Sequence, residues 1–193
     1  MKRKVIAVTG KIGSGKSTVM SILRDLGCEI IICDELARQV ADNSLVIKRV
    51  EELLGGDSVT DGQLNRKYIR EIVFKDGNLL HNYEQIFFDG VKELLTARVE
   101  YLQKNIGVAK GCKAIFVEIP VMDAFDFPWD GVWRVDTSEQ ATLSRVTARD
   151  GVSADSVLET LSRQKTYECD RVIPNNGNLD ELTKIVKKEL AGI

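Results

Sequence analysis

Gly10-Lys11-Ile12-Gly13-Ser14-Gly15-Lys16-Ser17 follows the apolar run Val5-Ile6-Ala7-Val8. It fits GxxxxGK[ST], a loop in which glycines let the backbone curl until successive N–H groups converge on phosphate oxygens at the start of a helix. Lys16 then reaches the β- and γ-phosphates, and the Ser17 hydroxyl is placed to ligate Mg²⁺. The apolar run reads as a buried strand, residues 17–26 as an amphipathic helix, and Gly27 as its C-terminal cap. Strand, loop and helix thus follow in the order a phosphate-binding loop needs. Gly13, Ser14, Gly15, Lys16, Ser17 and Thr18 are the residues expected around a bound nucleoside triphosphate, ATP.

Working outward, short apolar strands are expected at 5–9, 29–33, 114–119, 131–135 and 171–173, alternating with helices. That alternation predicts an α/β fold, a P-loop-type parallel five-stranded sheet flanked by helices. Residues 34–111 are too long for a simple crossover and read as a helical substrate-binding insert. Within it, Ser44 is expected to cap a helix over 45–54, Asp61-Gly62 marks a turn, 66–74 reads as a short helix, and 79–105 as a long one with a kink at Gly90. Residues 139–150 and 154–167 form a second helical pair, a lid over 138–168. The core is then about 1–33, 112–137 and 169–193 of one domain.

Among the 193 residues, 27 Lys and Arg stand against 29 Asp and Glu, a net charge of −2 that argues against a nucleic-acid binder. No apolar run approaches membrane-spanning length, and Met1-Lys2-Arg3-Lys4 leads into a strand, so a soluble, cytosolic monomer or weak homo-oligomer is expected. Cys28, Cys33, Cys112 and Cys169 show no C-x-x-C spacing and read as small core hydrophobes in a reducing compartment. His81 is the only histidine, so a Ser-His-Asp apparatus or a His-rich metal site is hard to build.

Three further features bear on chemistry. Asp34 follows the second strand directly and suits a base that takes the proton of an acceptor hydroxyl, or equally a helix cap over 35–40. Glu118 ends the apolar run Ala114-Ile115-Phe116-Val117, where an acid holds Mg²⁺ directly or through water, or serves as an interior carboxylate paired with Lys16. Arg145 and Arg149, four residues apart on one helix face, can clamp phosphates or simply face solvent. No Asn-Lys-x-Asp segment for reading guanine is present.

Taken with Cys33-Asp34-Glu35-Leu36-Ala37-Arg38-Gln39-Val40, Asp61-Gly62-Gln63-Leu64-Asn65-Arg66, Ile119-Pro120, the 145–150 segment, Gln164 and Asp170-Arg171-Val172-Ile173-Pro174-Asn175-Asn176-Gly177, the chain resembles the dephospho-coenzyme A kinases nearly end to end. The resemblance implies transfer of the γ-phosphoryl of ATP to the ribose 3′-hydroxyl of dephospho-CoA. It implies Asp34 as base, Arg145 and Arg149 as lid arginines near the phosphates, and Asn175 in the segment near the adenine. Arg38, Arg66 and Arg70 of the insert are expected to hold the acceptor. The chain departs from the family pattern at Lys11, Ile32, Phe88-Asp89 and Pro120 to Ala124, mostly on the acceptor side. Two rivals stand beside this reading: a kinase of the same fold acting on another hydroxyl, such as a nucleoside, nucleotide or shikimate, and a non-catalytic ATP-binding relative.

Overall fold

The computed structural model describes residues 2–73, 75–105 and 112–193. In chain order its elements are β1 (Lys4–Thr9), α1 (Lys16–Asp25), β2 (Glu29–Ile32), α2 (Cys33–Ala41), α3 (Ser44–Leu54), β3 (Val59–Thr60), β4 (Gln63–Leu64), α4 (Arg66–Val73) and α5 (Gly77–Lys104). They continue with β5 (Ala114–Glu118), β6 (Gly131–Asp136), α6 (Glu139–Asp150), α7 (Ala154–Arg163), β7 (Arg171–Pro174) and α8 (Leu179–Ala191). Two compact units result, Met1–Ile32 with Val99–Asp123 and Pro128–Ile193, and Cys33–Arg98 with Ala124–Phe127.

The first unit holds a five-stranded sheet in the order β2-β5-β1-β6-β7, parallel throughout. The central strand β1 buries Val5, Ile6, Ala7 and Val8 on both of its faces, which requires cover on each side of the sheet and explains its uninterrupted apolar sequence. Ile6 and Val8 pack with Val19 and Leu23 of α1, Phe116, Trp133, and Leu182 and Val186 of α8. The Phe116 and Trp133 rings meet edge to face at 5.0 Å, a favoured aromatic geometry. Because β1 is flanked by β5 on one side and β6 on the other, the loop leaving its carboxyl end lies at the switch point of the sheet, where open α/β sheets bind ligands.

The second unit is helical apart from a hairpin, β3 paired antiparallel with β4. Asp61 and Gly62 take positive φ (52° and 76°), as a two-residue hairpin loop of the primed type demands. The turn was legible in the sequence, but strands of two residues carry no periodicity and were missed.

The structure corrects several boundaries. Cys33 opens α2 rather than closing β2, and Asp34 lies in the first turn of that helix, where its charge suits the dipole, instead of capping it. Asn43, not Ser44, caps α3, its Oδ1 accepting from the Leu45 N–H at 2.9 Å. Helix α5 continues through Gly90, whose lack of a side chain serves contact with α2, since a Cβ there would stand 2.8 Å from Val40 Cγ1. Helix α7 stops at Arg163 because Gln164 turns extended. The expected end of α4 at Phe74 lies outside the described residues. Finally, Cys28 and Cys112 are joined in a disulfide with Cα atoms 5.0 Å apart, so the reading of all four cysteines as small core hydrophobes in a reducing compartment fails for this pair. Adjacent parallel strands β2 and β5 start beside one another and bring together residues 84 apart in sequence.

Candidate active site

Gly10, Gly13 and Gly15 hold φ of 149°, 71° and 93°, conformations costly to other residues. Each is also pressed from outside. A Cβ at Gly13 would stand 2.6 Å from Val146 Cγ2 on α6, and one at Gly15 would overlap Asn175 Nδ2. The loop therefore has its shape imposed both by its own residues and by the elements around it. Gly15 precedes α1 with no side-chain cap, so the first amides of that helix remain available to an anion.

Lys16 is half-buried and its ammonium donates to the carbonyls of Gly10 (2.9 Å) and Lys11 (3.2 Å), which holds it within the loop. Ser17 and Thr18 are exposed at the start of α1. Glu118 is half-buried at the end of β5, in register with Val8 of β1 and Ile32 of β2, and so at the carboxyl edge of the sheet. A magnesium ion bound chiefly through phosphates needs only one or two protein oxygens, and Ser17 and Glu118 are the right types. Among the described residues no cluster of three or more His, Cys, Asp or Glu could hold a metal ion on its own.

Thr9 Oγ1 and Ser14 Oγ are buried without a hydrogen-bond partner among the described residues. Both residues line a cleft of ≈ 170 Å³ with Gly10, Lys11, Asp136 and Thr137. Buried hydroxyls in native proteins are nearly always bonded, so this cleft suits a bound polar group that completes their bonding.

Asn175, expected near an adenine, is 7% exposed and donates from Nδ2 to the Ser14 carbonyl at 2.7 Å. Arg145 donates to the carbonyl of Asn175 at 3.0 Å and to Thr137 Oγ1 at 3.3 Å. Arg149 makes a bidentate pair with Asp150 at 2.7 and 2.8 Å. That hydrogen bonding holds the Asp150 carboxyl below its ordinary range and raises the guanidinium. The pair is exposed to water, which weakens it.

In the second unit, Arg38 of α2 and Arg66 and Arg70 of α4 line one cleft of ≈ 410 Å³ with Tyr83 and Phe87 of α5. The two rings lie 5.0 Å apart. Burial pushes the Tyr83 phenol up, with Arg66 opposing. The structure thus brings together the three arginines that the sequence placed only in a common insert. The aromatic floor was missed, although Tyr83 and Phe87, four apart on a helix, were a readable signal. Asp34 is exposed in α2, two residues beyond Ile32 of β2.

A group that the sequence could not reveal joins residues over forty apart. Asp123 accepts from the Tyr167 hydroxyl at 2.7 Å and pairs with Lys165. Lys165 first and Tyr167 second hold the Asp123 carboxyl below its usual range. Burial, followed by Asp123, pushes Tyr167 up to about 12.

No helix among the described residues is long and apolar enough to cross a membrane. The crystal structure of TT1252 from Thermus thermophilus superposes with a TM-score of 0.81 at 27% identity, covering 100% of this chain and 99% of that one. A dephospho-CoA kinase of Geobacter sulfurreducens is 32% identical over 95% of each chain, and one of Streptococcus thermophilus 31% identical over 98% of this chain and 99% of its own. The model of the dephospho-CoA kinase family matches residues 4–181, and with a P-loop on a parallel five-stranded sheet, the chain belongs to that family of ATP-using, alcohol-phosphorylating enzymes.

Proposed function

We propose that the chain transfers the γ-phosphoryl group of ATP to the ribose 3′-hydroxyl of dephospho-CoA, yielding coenzyme A and ADP, the last step of coenzyme A synthesis. The observation that carries the acceptor side is the cleft in which Arg38, Arg66 and Arg70 surround Tyr83 and Phe87. Guanidinium forks match the oxygens of a pyrophosphate, and aromatic faces accept a flat purine. Dephospho-CoA offers both.

On the nucleotide side, Gly13 to Thr18 cradle the triphosphate and Lys16 neutralises its β- and γ-oxygens. Arg145 and Arg149 supply further positive charge as the phosphoryl group moves, Arg149 by leaving Asp150. Asn175 holds the loop at Ser14 and lies beside the adenine. Ser17, and Glu118 directly or through water, would hold Mg²⁺, which when bound neutralises charge on the phosphates. Asp34 takes the proton of the 3′-hydroxyl. Little covalent work falls to the protein; catalysis rests on positioning and charge. The working form in this reading is a cytosolic monomer or weak homo-oligomer that needs no nucleic acid and no membrane.

The test is ADP formation from ATP and Mg²⁺ with and without dephospho-CoA, the product being weighed by mass spectrometry. Acceptor-dependent turnover with one added phosphate supports the reading, and Lys16→Ala must then abolish it. ATP binding with turnover only on a nucleoside, nucleotide or shikimate transfers the activity to that acceptor. Binding with no turnover on any of them leaves a non-catalytic ATP-binding protein.

A further inference from the structure

The lid returns to the sheet through residues 161–167, and this exit segment is fastened at several points. Arg134, itself clamped bidentately by Asp136, donates to the Tyr167 carbonyl at 2.9 Å. Tyr167 and Lys165 are both tied to Asp123. Gln164 therefore sits on anchored chain. From there its Oε1 accepts the main-chain N–H of Ile12 at 2.8 Å, across 152 residues of sequence. Beside it, Lys11 Nζ reaches the Leu161 carbonyl at 3.5 Å.

The same corner of the P-loop is gripped from the other lid helix. Gly13, one residue beyond Ile12, is packed so closely by Val146 and Thr142 of α6 that a Cβ would stand 2.6 Å and 3.1 Å from their methyl groups. The loop's other tie in this region, from Asn175 Nδ2 to the Ser14 carbonyl, connects through the Asn175 main chain to Arg145 of α6. Helix α6 and the segment that follows α7 thus act on residues 12–14 of the loop, the first by packing and the second by a hydrogen bond.

We propose that Gln164 is a positioning residue for nucleotide binding: from the anchored end of the lid it fixes the P-loop through the Ile12 N–H, so that the seating of the lid and the shape of the phosphate cradle are set together. It is not among the residues lining either cleft. Without it, the Ile12 amide loses a partner in a half-buried place and the loop relaxes away from the shape that phosphates need. This inference rests on the nucleotide-binding half of the proposed function and is independent of which acceptor is used.

The test compares wild type with Gln164→Leu, which removes the acceptor atom, and Gln164→Asn, which keeps the amide but falls short by one methylene. ADP affinity is measured by titration calorimetry, the exchange of individual amides by NMR, and stability by thermal unfolding. Both variants are expected to bind ADP about tenfold more weakly, the scale of one hydrogen bond lost with its partner left unsatisfied. Exchange at the Ile12 amide should accelerate while the amides of β1 keep their protection, and Tm should fall by no more than roughly 6 °C, the global cost of the same single bond. KM for dephospho-CoA should stay within about twofold, because the loss lies on the nucleotide side.

Unchanged ADP affinity with accelerated Ile12 exchange overturns the proposal, since the bond would then exist without positioning anything. A fall in Tm with exchange rising across the whole sheet also overturns it, leaving Gln164 a general structural residue. If the leucine variant fails to fold, the asparagine variant decides alone by the same readings. Absence of turnover on dephospho-CoA by the wild-type chain sinks the acceptor assignment but not this inference, because ADP binding is read without acceptor.

Discussion

Replacing Gly13 by alanine puts the packing of lid on loop to a quantitative test. Gly13 sits at φ 71°, and left-handed backbone costs an L-residue about 1–2 kcal/mol. The added methyl would lie 2.6 Å from Val146 Cγ2, where carbon atoms prefer about 3.5–4.0 Å. Val146 is 1% exposed and β-branched within α6, so it has little freedom to rotate away. Overpacking of this kind costs about 1–3 kcal/mol, bringing the expected loss to about 2–5 kcal/mol. For a chain of this length that is a fall in Tm of about 5–15 °C. ADP affinity should fall with it, since the same strain displaces the loop that binds phosphate.

The two contributions separate in a double-mutant cycle. Val146→Ala alone should cost about 1–3 kcal/mol from lost burial. It also removes the methyl that the new Cβ meets, so the double variant should be more stable than the sum of the singles by about 1–3 kcal/mol. The φ cost at Gly13 remains in the double variant. Denaturant unfolding of the four proteins supplies the cycle. Additivity within about 0.5 kcal/mol, together with a Gly13→Ala loss below about 1 kcal/mol, refutes the argument that α6 presses on this loop.

Three further outcomes are expected. Asp34→Asn should lower turnover by about two to four orders of magnitude while ADP binding persists, and a near-normal rate would remove Asp34 from the base role. Arg66→Ala and Arg70→Ala should each raise KM for dephospho-CoA about tenfold or more and leave KM for ATP within about twofold; equal effects on both substrates would contradict their assignment to the acceptor cleft. Tyr167, raised from 10.0 to about 12, favours the protonated phenol in the folded state, so its contribution to stability is complete below pH 10 and disappears as the pH climbs through about 12. A phenolate absorbance titration should show late ionisation from Tyr83 and Tyr167, of which Tyr167→Phe removes the part near pH 12, and an unchanged titration of that variant would contradict the Tyr167 environment described here.

The departures from the family pattern acquire contacts in the structure. Lys11 reaches the Leu161 carbonyl, Asp89 pairs with Arg49 at 3.5 Å, and Asp123 holds Lys165 and Tyr167. Two of the three bear on the lid exit. On sequence alone Asp89 and Asp123 read as departures on the acceptor side and Lys11 as one in the loop, because no local signal connects residue 123 with residues 165 and 167.

Local physics was legible along the chain. Glycine spacing followed by Lys16-Ser17, the buried run of β1, and the alternation of short apolar strands with amphipathic helices are each properties of a few neighbouring residues, and they were enough to read the P-loop and the five-stranded parallel sheet. The candidate residues Lys16, Ser17, Arg145 and Arg149 were legible for the same reason: their spacing alone places them on a loop or on one helix face.

Which distant residues meet is a property of the folded chain. The Cys28–Cys112 disulfide, the convergence of Arg38, Arg66 and Arg70 on one cleft, the buried bond from Asn175 to Ser14 and the reach of Gln164 to Ile12 each join parts of the chain whose separation is spanned by strand order and helix packing. Strand order places β5 beside β2 and β6 beside β1, and with it fixes which loop ends become neighbours. Periodicity along the chain records which face of an element is buried, but it carries no record of the partner that buries it.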